Sequence, residues 1–171
     1  MRAPPTLAVV AHPVVVERAG PHDLPRIGAL TASVYVDDGL APPEYVPALA
    51  DAAGRAALAE LLVAPDGDAI VGSVALVLAG EFGEVLRSDD EAGFRMLVVH
   101  PAARGRGVGG RLVTACLERA RGAGKRRMVI STDPRMTAAH RLYERLGFSR
   151  LPERDWSPLP GIDLLVYARE L

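Results

Sequence analysis

The chain has 171 residues, 49% of them hydrophobic and 24% charged, which describes one globular domain with a real core and excludes a disordered segment. A formal net charge of −1 excludes a general nucleic-acid binder, which would be strongly basic. The single cysteine, Cys116, excludes an internal disulfide and a cysteine-built zinc site, so no metal is expected.

Residues 1–12 read as a loose lead-in before a first strand at about 13–18. The opening MRAPPTLAVVAHPVVV is a poor secretory leader because His12 and Pro13 interrupt it, and no apolar run reaches membrane-span length. A cytoplasmic protein without membrane contact is expected. Ile27, Leu30, Thr31 and Val34 recur at helical spacing after the turn signals of GPHDLP. Residues 37–60 carry too many Pro and Gly for one helix, so two short helical pieces are expected. Strands follow at 60–64 and 69–79 around the turn PDGD. After an acidic loop come a strand at 93–99, a helix at 106–122, a strand at 126–131 and a helix at 136–146. Strands near 147–151 and 162–169 close the chain. The hairpin implies antiparallel pairing and the strand–helix–strand–helix run parallel pairing, giving a mixed α/β sheet in one domain, 1–171. Cys116 falls among apolar positions of the second long helix and reads as a small core residue.

The densest signal is RMLVVHPAARGRGVGGRLV, residues 95–113. A helix N-terminus leaves its first N–H groups unpaired and partly positive, and glycines let a ligand approach that backbone closely. Arg104 and Arg106, with Arg111 behind them, add cations whose fork geometry suits phosphate. Arg104, Gly105, Arg106, Gly107, Val108, Gly109 and Gly110 together read as a diphosphate cradle. GRGVGG also satisfies G-x-G-x-x-G, with Asp133 about 20 residues beyond. Three features oppose a dinucleotide domain. His100 to Arg104 separate the strand from the first glycine, the unit starts late in the chain, and too few residues follow Asp133.

LVVHPAARGRGVGGRLV resembles the acetyl-coenzyme A signature of the GNAT superfamily of N-acetyltransferases, whose Arg/Gln-x-x-Gly-x-Gly/Ala core is matched by Arg104, Gly107 and Gly109. TAAHRLYERLGF, 137–148, is similar to the family's next motif, a helix ending in Leu-Tyr-x-x-x-Gly-Phe. The resemblance implies a mostly antiparallel sheet with a splayed parallel central pair, flanked by helices. It implies acetyl transfer from acetyl-coenzyme A straight to a primary amine, without a covalent enzyme intermediate. Pantetheine would pair with the backbone of Leu97, Val98 and Val99, and the Val99 N–H would polarise the thioester carbonyl. Tyr143 would assist the departing thiolate and touch the cofactor. Where relatives carry Asn-x-x-Ala, this chain has Met136 before Ala139, so Ser131 or Thr132 is expected to supply the missing polar contact. Another acyl-coenzyme A, or a sensor that binds acetyl-coenzyme A without turnover, stays open.

The amine must be neutral to attack, so an acid near the cofactor strand is expected as base. Glu91 shares alternation parity with Leu97 and Val99 and leads the candidates; Asp89, Asp90, Glu81 and Glu84 follow. Tyr35 and Trp156, scarce aromatics on predicted loops, are candidates to wall a small-molecule or peptide amine. A homodimer stays open.

Overall fold

The computed structural model describes residues 13–171, and the expected lead-in at 1–12 lies outside them. Its sheet runs β1 (Glu17–Arg18), β2 (Glu60–Asp66), β3 (Ala69–Val77), β4 (Glu91–Val99), β5 (Arg127–Thr132), β8 (Ile162–Glu170) and β6 (Ser149–Arg150), with β7 (Trp156–Leu159) paired to β8. Every pairing is antiparallel except β4 with β5. The expected first strand shrinks to two residues, and β7 forms where a loop was expected. Pro158 and Pro160 hide β7 from a strand reading, and they are tolerated because β7 is a short edge.

Helices cover both faces. On one, α1 (Leu24–Asp37) buries Ile27, Leu30, Thr31 and Val34, the spacing seen in the sequence. The short α2 (Val46–Ala50) and α3 (Ala52–Ala56) replace one long helix, as Pro43, Pro47 and Gly54 require. Arg55, buried, donates to the carbonyls of Ala48 and Leu49 and closes the end of α2. On the other face, α4 (Val108–Gly122) buries Val108, Leu112, Cys116 and Ala120 at four-residue spacing, with Val113 and Leu117 beside them. They meet Leu62, Val74, Leu76, Phe94, Met128 and Ile130 from the sheet and Tyr143 from α5 (Thr137–Arg145). Burial pushes the Cys116 thiol well above its ordinary range, as a core residue requires. Among the described residues, no helix is long and apolar enough to cross a membrane.

The root of β4 is pinned by an ion pair. The Arg154 guanidinium donates to both oxygens of Glu91, at 2.6 and 3.0 Å, and the Arg87 N–H adds a third bond at 2.8 Å. Glu91 and Arg154 are 7% and 8% exposed, so neither charge has water to fall back on. Burial alone would raise the Glu91 carboxyl, but the bonds from Arg154 and Arg87 outweigh it and hold it below the ordinary carboxylate range.

Glu91→Gln should therefore cost about 3–5 kcal/mol of folding stability, because it leaves a buried guanidinium without its counter-charge. A carboxyl with a depressed folded pKa contributes fully above its unfolded value of about 4.3 and loses that contribution as pH falls through the folded value. Denaturant titrations should give a constant gap between wild type and variant from pH 8 to 5, narrowing below about pH 4. A gap that ignores acid would remove the pair from the stability of the fold.

Candidate active site

β4 and β5 run side by side for only two residues, Glu91↔Arg127 and Ala92↔Met128. Beyond them the strands part, although β4 continues to Val99 and β5 to Thr132. The cause lies in β4. Between the pairs Ala75↔Arg95 and Ser73↔Val98, β3 spends two steps and β4 three, so one residue bulges. Met96 sits there at φ 52, left-handed backbone that a non-glycine side chain seldom adopts. Above the bulge, the His100 N–H donates to Val71 on β3 at 2.8 Å. By strand alternation the Val99 N–H then points away from β3, toward the gap.

A cleft of about 720 Å³ opens along this edge, within the range of small-molecule sites. Leu97, Val98 and Val99 form its floor. The turn after β4 forms one end, with Arg104, Gly105, Gly107, Val108, Gly109 and Gly110 on its wall. Gly105 and Gly107 stand at φ 79 and 81, which is why side-chain-bearing residues would be strained there. Gly107 caps α4, and the Arg111 N–H is the first to bond back, to Gly107 at 3.1 Å. The N–H groups of Val108, Gly109 and Gly110 thus lack partners inside the helix and border the cleft. Arg104 also borders it, paired with Asp38 from the end of α1 at 2.8 Å.

The opposite wall comes from the helix of the 137–148 motif. Arg135, Met136, Thr137 and Ala138 at the start of α5 line it, with Ala139, Leu142 and Arg145 along the helix. Arg135 reaches over to the Gly39 carbonyl at 3.1 Å while holding both oxygens of Asp133, whose carboxyl its hydrogen bonds keep below the ordinary range. In the sequence only TAAHRLYERLGF and the Met136 position pointed to this wall. Asp38 and Leu40, just after α1, close the cleft, and Tyr35 of α1 lines it. Burial pushes the Tyr35 phenol up to about 12.

Several expected site residues lie elsewhere. The bulge reverses the alternation within β4: Ala92 and Phe94 pack toward α4 below it, and Leu97 and Val99 do so above it. Glu91 therefore faces the other side of the sheet and is consumed by Arg154, so it does not share the cleft with Leu97 and Val99. Arg106 turns its guanidinium to Asp66 at 2.8 Å, outside the cleft wall. Ser131 borders a different, small cavity, and the Thr132 hydroxyl is engaged with His140 at 3.3 Å, so neither borders the cleft. Trp156 packs with Val129, Val166 and Leu151 in a separate apolar cluster. Tyr143 is 4% exposed among Phe94, Phe148 and Tyr167, with ring centroids 5.8, 5.8 and 6.1 Å away. Burial, with a smaller push from Tyr35, raises its phenol well above 10. Asp89 and Asp90 remain on an exposed turn, and His100 spends its Nδ1 accepting from the Ala102 N–H.

A parallel pair forced apart over a glycine-rich helix start, with a long cleft along the freed strand, defines an acyltransferase type of fold. Solved structures agree. A GNAT-family acetyltransferase from Staphylococcus aureus Mu50 superposes with TM-score 0.74 at 14% identity, covering 92% of this chain and 99% of that one. A Brucella melitensis ribosomal-protein-alanine N-acetyltransferase gives 0.68 at 19%, covering 92% and 100%. The yncA protein of Salmonella typhimurium, solved with its cofactor acetyl-CoA, gives 0.67 at 21%, covering 94% and 95%. No curated protein matches the sequence. The profile of the Acetyltransferase (GNAT) family matches residues 29–148, and the chain belongs to that family.

Proposed function

We propose that the chain transfers an acetyl group from acetyl-CoA to a primary amine on a small molecule or peptide. One observation carries this reading: a single cleft joins the Gly–Arg turn, the freed edge of β4 and the phenol of Tyr35. The residues fit an acyl-CoA. The first-turn N–H groups of Val108 to Gly110 and the Arg104 guanidinium would take the diphosphate, with Arg104 exchanging Asp38 for it. The freed backbone of Leu97 to Val99 would pair with the pantetheine amides, and the Val99 N–H would bond the thioester oxygen as charge develops on it. Bound acyl-CoA supplies a thioester, whose sulfur leaves readily.

Tyr143 keeps its proton at every working pH because burial raises it. A phenol so raised is a poor proton donor to a thiolate near 8.5, so where a bound cofactor brings its sulfur to Tyr143 the phenol would give a hydrogen bond rather than full transfer. The acceptor would enter past Tyr35 and the end of α1, on the side of β4 opposite α4.

Gly107→Val should weaken acetyl-CoA binding at least tenfold, because a β-branched residue cannot hold φ 81 and the first turn of α4 must re-form. Calorimetry measures it, with a melting curve to confirm that the variant is folded; unchanged affinity would remove the cradle. Tyr143→Phe keeps the ring and its packing, so stability should hardly change while kcat falls about 10- to 100-fold, the worth of a hydrogen bond to a charged group. Equal kcat would leave Tyr143 with packing alone. Release of free thiol in the presence of an amine panel, and not in its absence, tests the reaction itself.

A further inference from the structure

On the acyl-transfer reading above, we infer that Asp38 competes with the cofactor's diphosphate for Arg104 and thereby sets the affinity of the cradle. The ion pair between Arg104 Nη2 and Asp38 Oδ2 spans 2.8 Å and joins residues 66 apart in sequence. Both border the cleft, and among the described residues Asp38 is the only carboxylate on its wall. Arg135, on the facing wall, is neutralised by Asp133, and Arg106 turns away to Asp66. Of the two arginines in the Gly–Arg turn, Arg104 alone borders the cleft, and the anion it holds there belongs to this chain.

Local structure does not call for an acid at this place. Asp38 is the C-cap of α1, where the last carbonyls carry partial negative charge and a carboxylate is unfavourable. The turn is held by backbone alone. The N–H groups of Asp38, Gly39 and Leu40 donate to the carbonyls of Val34, Val36 and Tyr35 at 3.0, 3.0 and 2.8 Å. Gly39, at φ 67, supplies the left-handed residue that such a helix stop requires. Arg135 Nη1 fixes the segment a second time, through the Gly39 carbonyl at 3.1 Å. The backbone beside the cleft is therefore anchored, and only the Asp38 side chain has to rotate for Arg104 to be released.

The pair is also weak enough to exchange. The Arg104 and Asp38 side chains are 47% and 35% exposed, so water screens them, and they hold far less firmly than the buried pair of Glu91 and Arg154. A diphosphate offers Arg104 more than one charged oxygen, and the first-turn N–H groups of α4 would bind it at the same time, so it wins the guanidinium. Asp38 is released by that exchange, and its return to Arg104 opposes the bound state throughout. The cradle thus binds less tightly than its arginine and N–H groups alone would allow. The same carboxylate is ready to refill the guanidinium as the spent coenzyme leaves.

The test is calorimetry of coenzyme A binding to wild type, Asp38→Asn, Arg104→Gln and the double variant, each with a melting curve to confirm the fold. Asp38→Asn should tighten binding about two- to fivefold, the fold-change that an exposed ion pair is worth. Arg104→Gln should weaken it about tenfold, the worth of a hydrogen bond between charged groups. Adding Asp38→Asn to Arg104→Gln should then leave affinity unchanged, because the competitor has nothing left to hold. Equal tightening in both backgrounds makes Asp38 a general like charge near the cleft and overturns the inference. So does an Asp38→Asn protein whose binding is unchanged or weaker. Either result leaves the transferase reading standing, since the wild type still binds coenzyme A. A wild-type protein that binds no coenzyme A overturns both.

Discussion

The site depends on the bulge at Met96. Without it β4 would stay in register with β3 and continue its parallel ladder with β5, and no backbone would be free for a ligand. One extra residue twists the strand, ends the ladder after two rungs and turns the Val99 N–H into the gap. Unpaired strand groups are costly inside a protein, so a freed edge in the middle of a sheet is stable only if water or a ligand satisfies it. The same bulge stores strain, because Met96 occupies left-handed backbone. Just below it the Glu91–Arg154 pair ties β4 to the turn before β7, and β4 and β5 approach closely at Gly93 and Val129. The fork thus has a rigid root and open arms, and the cleft lies between the arms.

That arrangement explains which features the sequence discloses. The Gly–Arg turn is legible because its requirements are local: left-handed backbone at Gly105 and Gly107 and a helix start behind them. The helices α1 and α4 are legible because burial at a fixed spacing leaves a periodic trace. The parity argument for Glu91 fails for a physical reason. Alternation is a property of an unbroken strand, and nothing in GFRMLVV announces that Met96 leaves it. In β5 the alternation is unbroken, with Met128 and Ile130 facing α4 and Val129 and Ser131 the other side. The arginines Arg106 and Arg127 look free in a basic run, yet each meets an acid distant in sequence, Asp66 and Glu170. Such pairings are set by the tertiary fold alone. The start of α5 is legible only through the motif at 137–148, because Met136, Thr137 and Ala138 line the cleft without carrying any ionisable group.

The proton economy of the site follows from these placements. On the leaving-group side the sulfur anion is intrinsically stable, and the buried phenol of Tyr143 is the wrong acid to protonate it. Little is lost by that mismatch. On the acceptor side the demand is larger: at pH 7 a lysine-like amine must spend about 4.6 kcal/mol to become neutral, an α-amine about 1. A base is therefore worth far more there than an acid is beside the sulfur. In the proposed reaction the cleft offers apolar residues and bare backbone on the α4 side and Tyr35 with the end of α1 on the other.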